Sequence, residues 1–326
     1  MIKKILKWLV VVLSVVFLFG YFFQEKFIFR ATQLSNDFEF NFDTNFEEVN
    51  LKTSDNETIN ALHFKLNTPK GVILYFHGNR GDLSRWGKIT EWFTQFNYDV
   101  FVIDYRNYGK SSGEFNEQKM LSDALLAYDY VKEKYSEDEI IVYGRSLGTT
   151  FATKVASVNN PKELILEVPF YNLMSAIKYH IKFSPGFLFN YKFKTNQFIQ
   201  KVSCPVTFFH GTEDGVTNPN DSDRLFELIK NPNKKLIKIE KRDICPSISK
   251  SSKNSPIKIR FFNHAFLQIE TEDFKFATDP WAIGPAFNTG WWLKKETKFE
   301  EIDTNNLSNL VYVALLCCFE EVDDLP

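Results

Sequence analysis

Residues 140–155 read IIVYGRSLGTTFATKV, and the order of side chains along them spells a strand, a sharp bend and a helix. Ile140, Ile141, Val142 and Tyr143 are β-branched or aromatic, the composition of a strand covered on both faces. Gly144, Arg145, Ser146, Leu147 and Gly148 then form G-x-S-x-G, and the segment from Leu147 onward carries helical spacing. In this context the serine stands on a strained turn, and the small residues on either side of it let the backbone close up. A helix beginning at Leu147 directs its unpaired N–H groups toward the place where a negative oxygen would develop if the Ser146 hydroxyl attacked a carbonyl. Ser146 is the candidate nucleophile.

Working outward, short β-rich runs lie on both sides of this stretch. FEEVNLKT around Glu47, TINALHFKL from Thr58, GVILYFHG from Gly71 and DVFVIDY from Asp99 precede it; ELILEVP from Glu163, PVTFFHG from Pro205 and KLIKIE from Lys235 come after it. Helical patterns separate most of them, at Leu83, Gln118, Leu147 and Asp221. Alternating strand and helix predicts an α/β fold whose sheet is parallel at its centre, led by two antiparallel strands. Residues 170–203 are too long for an ordinary connection and read as a lid or surface excursion, rich in Phe and Tyr. Phe170, Tyr171, Tyr179, Phe183, Phe187 and Phe189 would there give an apolar acyl pocket or simple packing. Beyond Glu240, KRDICPSISKSSKNSP is a linker-like stretch, so we divide the chain into residues 31–245 and a tail over 246–326.

At the other end, Lys3, Lys4 and Lys7 precede an uncharged apolar run from Trp8 to Gln24. This predicts an uncleaved single-pass membrane anchor within residues 1–30, lysines on the cytoplasmic side and the remainder beyond the membrane, with a removed signal peptide as the alternative. The 326 residues carry 39 Lys+Arg against 41 Asp+Glu, a balance that excludes a basic nucleic-acid footprint. Four cysteines in a chain of this length do not make a disulfide scaffold.

Two further segments carry chemistry. LYFHGNRGDLSRW puts His77, Gly78, Asn79, Arg80 and Gly81 after a strand and before a helix, where the Asn79 and Leu147 N–H groups can act as paired oxyanion donors and His77 as a structural hydrogen bonder. The plainer reading is a polar strand-to-helix loop. FFHGTEDGVTNPNDS places Asp214 after a strand and after the serine in chain order, suiting the acid that orients a base; ordinary turn chemistry and the adjacent Glu213 compete for that reading.

HGNRG, DYRNYGKSSG, YGRSLG and HGTED, in this order behind an apolar N-terminal run, resemble the membrane-anchored Bem46-type branch of the α/β-hydrolase superfamily, near its serine aminopeptidase type, over about residues 20–240. The resemblance implies an eight-stranded sheet and a Ser-Asp-His triad mapped onto Ser146 and Asp214. It also implies an oxyanion hole at Asn79 and Leu147, and a lid between Phe170 and Ser203. It implies no metal and no cofactor, and gives Asp104, Arg106 and Gly109 structural roles. The family's histidine belongs after LIKIE, where residues 241–250 read KRDICPSISK. The five histidines are His63, His77, His180, His210 and His264, so the general base is unassigned. The tail, from PIKIRFFNHAFLQIETEDFKF onward, resembles the opening strands of a metallo-β-lactamase-fold protein without its H-x-H-x-D-H cluster; one imidazole does not hold a catalytic zinc. The sequence therefore predicts a membrane-tethered serine hydrolase acting on ester, thioester or amide bonds of small or lipid-like acyl substrates. The alternatives are a catalytically silent protein of the same fold and a truncated fusion product.

Overall fold

The computed structural model describes residues 4, 7, 8, 20–182 and 184–239, together with the backbone of four strands between 257 and 297. Residues 9–19 of the predicted anchor, Phe183 and the linker over 240–256 lie outside the described residues. Among the described residues no helix is long and apolar enough to cross a membrane.

The described helical residues 20–28, labelled α1, lead into β1 (Arg30–Ala31). Then come β2 (Phe46–Lys52), β3 (Thr58–Phe64), β4 (Val72–Phe76), β5 (Arg80–Gly81), α2 (Leu83–Glu91) and β6 (Asp99–Ile103). They are followed by α3 (Glu117–Lys132), β7 (Ile140–Arg145), α4 (Gly148–Ala156) and β8 (Glu163–Glu167). After α5 (Leu173–His180) and α6 (Thr195–Phe198) the chain forms β9 (Val206–Gly211), α7 (Pro219–Leu228) and β10 (Lys234–Ile239).

Eight strands form one sheet in the order β10-β9-β8-β7-β4-β6-β3-β2, so the strand carrying the serine is central. Neighbours β6, β4, β7 and β8 pair in parallel, while β3 runs antiparallel to both β2 and β6. The two leading strands thus make a hairpin, and of the pair only β3 opposes the parallel set. Every residue of β4 and β6 is buried, which is why these segments are apolar throughout apart from Asp99 at the start of β6. Helix starts are locally encoded: Asp82 Oδ1 accepts from the Ser84 N–H, Asn116 Oδ1 from Lys119 N–H, and Asn172 Oδ1 from Ser175 N–H.

The insertion over 170–203 contains α5 and α6 and is pinned by one buried carboxylate. Asp221, on α7, accepts from the Tyr171 N–H at 2.9 Å and the Ser175 hydroxyl at 2.8 Å. In the tail, β11 (Ile257–Asn263), β12 (Phe266–Thr271), β13 (Lys275–Ala277) and β14 (Lys295–Thr297) pair antiparallel in the order β13-β12-β11-β14. Two compact units divide the chain: residues 1–208 with 217–236, and residues 209–216 with 237–326.

Candidate active site

Ser146 follows β7 with φ at +50°, a left-handed conformation that a residue with a Cβ adopts only when its surroundings enforce it. Those surroundings are close backbone contacts. A Cβ on Gly148 would sit 1.9 Å from the Phe76 carbonyl oxygen, and one on Gly144 would meet the Gly148 carbonyl at 2.6 Å. Helix α4 is therefore pressed against the ends of β4 and β7, and the bend between strand and helix has no room to relax. The Ser146 N–H donates to the Glu167 carbonyl at 2.9 Å, and its own carbonyl accepts from the Thr149 N–H at 3.0 Å and hydroxyl at 2.6 Å. Both sides of the serine's backbone are held while its side chain is left half-buried.

The loop after β4 comes up against this bend. A Cβ on Gly78 would stand 3.8 Å from the Ser146 Cβ, so the loop after β4 borders Ser146. The Leu147 side chain is buried and anchors the first turn of α4. The structure thus brings together Ser146, Leu147 and the loop bearing Asn79, three of the four residues chosen from sequence.

His77 has no part in this face of the site. It is fully buried, with Nε2 at 3.2 Å from Asp104 Oδ1, and its carbonyl accepts from the Tyr105 hydroxyl at 2.6 Å. Asp104 also accepts from the Leu83 N–H at 3.1 Å. Burial raises the Asp104 carboxyl above its ordinary range, against the pull of the His77 hydrogen bond. DYRNYGKSSG is accordingly scaffold: Tyr108 donates to the Asn79 carbonyl at 2.7 Å, and the buried Arg106 guanidinium is clamped by Asp123 and Asp55.

The fourth residue, Asp214, sits in the turn after β9. Its Oδ1 accepts from the Val216 N–H at 2.7 Å, and Oδ2 lies 3.4 Å from Nε2 of His210, which is buried on β9. The neighbouring Glu213 is exposed. Of the remaining imidazoles, His63 is buried beside Tyr135 at 3.2 Å with its pKa pushed down to about 4 by burial, and His180 is exposed at the end of α5. His264 lies outside the described residues.

The aromatic residues of the insertion are not gathered into one wall. Phe170 belongs to the core and Tyr171 lies under the Arg224 guanidinium at 3.6 Å, whereas Tyr179 is exposed and Phe187 is 83% exposed.

Sequence reasoning missed the layer behind the elbow. Buried Glu167 accepts from the Tyr143 hydroxyl at 2.8 Å and pairs with Arg145 at 3.2 Å. The Arg145 guanidinium lies 5.7 Å from the Trp86 ring, and that ring stacks on His77 at 5.4 Å. No spacing rule links positions 86, 145 and 167, so nothing in the chain's local pattern could have signalled this stack.

A central parallel strand that turns through a strained serine into a closely packed helix is the geometry of a nucleophile elbow, and the fold is that of the α/β-hydrolases. The family that matches is serine aminopeptidase, S33, over residues 67–189. Among curated proteins, the chain is similar to the lysophosphatidylserine lipase ABHD12 of Danio rerio, 31% identical over 180 residues that make up 48% of this chain and 47% of that one. The Xenopus tropicalis protein of the same name is 32% identical over 186 residues, 50% of this chain and 48% of its own. The chain spans about half the length of the curated relatives it matches. Among solved structures, a Pyrococcus furiosus esterase superposes with a TM-score of 0.53 at 19% identity, over 65% of this chain and 87% of its own. An alpha-beta hydrolase from Vibrio vulnificus gives 0.51 at 18% identity, over 59% and 73%. These two likenesses speak for the fold.

Proposed function

We propose that the chain hydrolyses acyl esters or related thioesters and amides through an acyl-enzyme on Ser146. The carrying observation is the serine's left-handed backbone, packed so tightly that the hydroxyl is presented at the end of the central strand beside the loop after β4. In this reading Ser146 Oγ attacks the carbonyl, the Asn79 and Leu147 N–H groups receive the oxyanion, and the leaving group departs to give an ester that water then cleaves. Asp214 orients the imidazole that takes the serine proton. That imidazole is unassigned, because no histidine occurs among residues 241–250.

Names carried by relatives, lysophosphatidylserine lipase among them, support a lipid-like acyl substrate. The apolar run Trp8–Gln24 behind three lysines supports attachment to a membrane by a single N-terminal anchor, with the hydrolase domain, residues 31–245 and its insertion at 170–203, on the non-cytoplasmic side. The tail over 246–326 is read as a separate β-rich segment with the strand alternation of an incomplete metallo-β-lactamase-like start. No metal or cofactor enters the proposed reaction.

A catalytically silent fold is the second reading, favoured by the missing histidine after β10. A fluorophosphonate probe decides between them. Labelling of the wild-type protein, lost in Ser146→Ala, is the expected result; absence of labelling in both would leave only the silent fold.

A further inference from the structure

We propose that residues 28–34, the stretch of chain leaving α1, are a positioning strap for the oxyanion loop, so that the Asn79 amide is held from the N-terminal side of the molecule. The inference rests on the serine-hydrolase reading above.

The Asn79 side chain is committed to the strap: its Nδ2 donates to the Ile28 carbonyl at 2.9 Å, 51 residues earlier in the chain. The Asn79 carbonyl in turn accepts from the Arg30 N–H at 2.9 Å, as well as from the Tyr108 hydroxyl. Arg30 and Ala31 then pair in parallel with Arg80 and Gly81, and the Thr32 N–H donates to the Gly81 carbonyl at 3.2 Å. The strap continues onto the DYRNYG turn, where the Gly109 N–H donates to Thr32 at 2.8 Å and the Leu34 N–H donates to Gly109 at 2.9 Å. Asn79 and Gly81 are therefore both bonded to the strap, with Arg80 in register between them, whereas the Asn79 N–H donates to no protein acceptor among the described residues. The bonds fix the loop and leave that one donor available.

The strap is itself anchored. Phe29 is buried, stacked on Phe115 at 4.2 Å and edge-on to Tyr191 at 4.9 Å. Gln24 Oε1 accepts from the Asn190 N–H at 2.8 Å, and the Tyr191 hydroxyl donates to Glu25 at 2.5 Å, tying α1 to the insertion. A pair of two-residue strands has little stability alone. These aromatic and polar contacts are what hold it against the loop. Loss of one oxyanion donor costs on the order of 10²- to 10³-fold in kcat, and a misplacement of about 1 Å costs roughly 10²-fold.

The test uses the full chain in detergent with two variants. Asn79→Ala deletes one side-chain bond and keeps the amide; Arg30→Pro removes the N–H donated to Asn79 without touching the loop. The readouts are the second-order rate of fluorophosphonate labelling at Ser146, kcat and KM for a p-nitrophenyl acyl ester, hydrogen exchange over residues 77–82 and the melting temperature. Both variants are expected to slow labelling and kcat by roughly 10- to 100-fold. KM should stay within about twofold, exchange in the loop should rise, and the melting temperature should change little, a split that a purely structural role would not produce. If Arg30→Pro does not fold, Asn79→Ala carries the test alone. Variants that label and exchange like the wild type would overturn the strap while leaving the hydrolase intact. A wild type that does not label would remove the hydrolase reading, and the strap's catalytic role with it.

Discussion

Ser146 and Asp214 both stand just past the end of a strand, β7 and β9, yet the polypeptide builds the two ends by different means. After β7 the backbone is forced into a left-handed turn by contacts that leave no space for a Cβ at positions 144 and 148, and the side chain is what remains free to act. After β9 the carboxylate folds back on its own turn, one oxygen on the Val216 N–H and the other beside His210. A nucleophile can be presented by steric exclusion, which residue size alone encodes. A triad acid is defined by the imidazole it orients, which is a relation between residues, and the same Asp serves equally well as an ordinary turn-former.

The strongest way to break this comparison is at the serine. Ser146→Ala is expected to abolish ester turnover, by up to roughly 10⁶-fold in kcat, with the melting curve unchanged; residual turnover at wild-type rate would mean that the elbow is scaffolding only. Next comes Asp214→Asn, which keeps the hydrogen bond to Val216 and alters only what the second oxygen can offer. If Asp214 orients a base, kcat falls by about 10⁴-fold while thermal stability holds, whereas unchanged kcat would assign the residue to its turn. Gly148→Ala tests the steric half: its new methyl group has no space beside the Phe76 carbonyl, and a loss of about 3 kcal/mol in stability should appear in urea melts.

The last effect, of similar size but confined to acid pH, lies outside both strand ends and sharpens any pH profile measured on them. His63 is buried with a pKa of about 4, below the ordinary imidazole value of 6.5, so the unfolded chain binds the extra proton first as pH falls. Its contribution is fully present above pH 6.5 and is lost as pH drops from 6.5 toward 4, by about 3 kcal/mol. His63→Gln should flatten the dependence of chemical denaturation on pH in that window; an equally steep slope in the variant would assign the acid sensitivity elsewhere. An activity limb in the same range that survives the substitution belongs to the site and not to the fold.

Much of the architecture was legible before any coordinates. Strands β4, β6 and β7 are covered on both faces, so their sequences are almost uninterrupted apolar runs, and the helices between them carry their own caps. The insertion's aromatic residues misled for the opposite reason. Composition marks Phe170 and Phe187 alike, while one is core and the other is 83% exposed. The Trp86, Arg145 and Glu167 stack was silent because its members come from three separate elements.

Residue order by itself determined the strand, the bend and the helix around Ser146, because these depend on side-chain volume and backbone freedom within a few neighbouring positions. Only the tertiary structure decided what holds the Asn79 loop against that serine. The bonds to Ile28, Arg30 and Tyr108 join segments far apart along the chain, and a hydrogen bond between distant segments imposes no periodicity, composition or spacing on either of them.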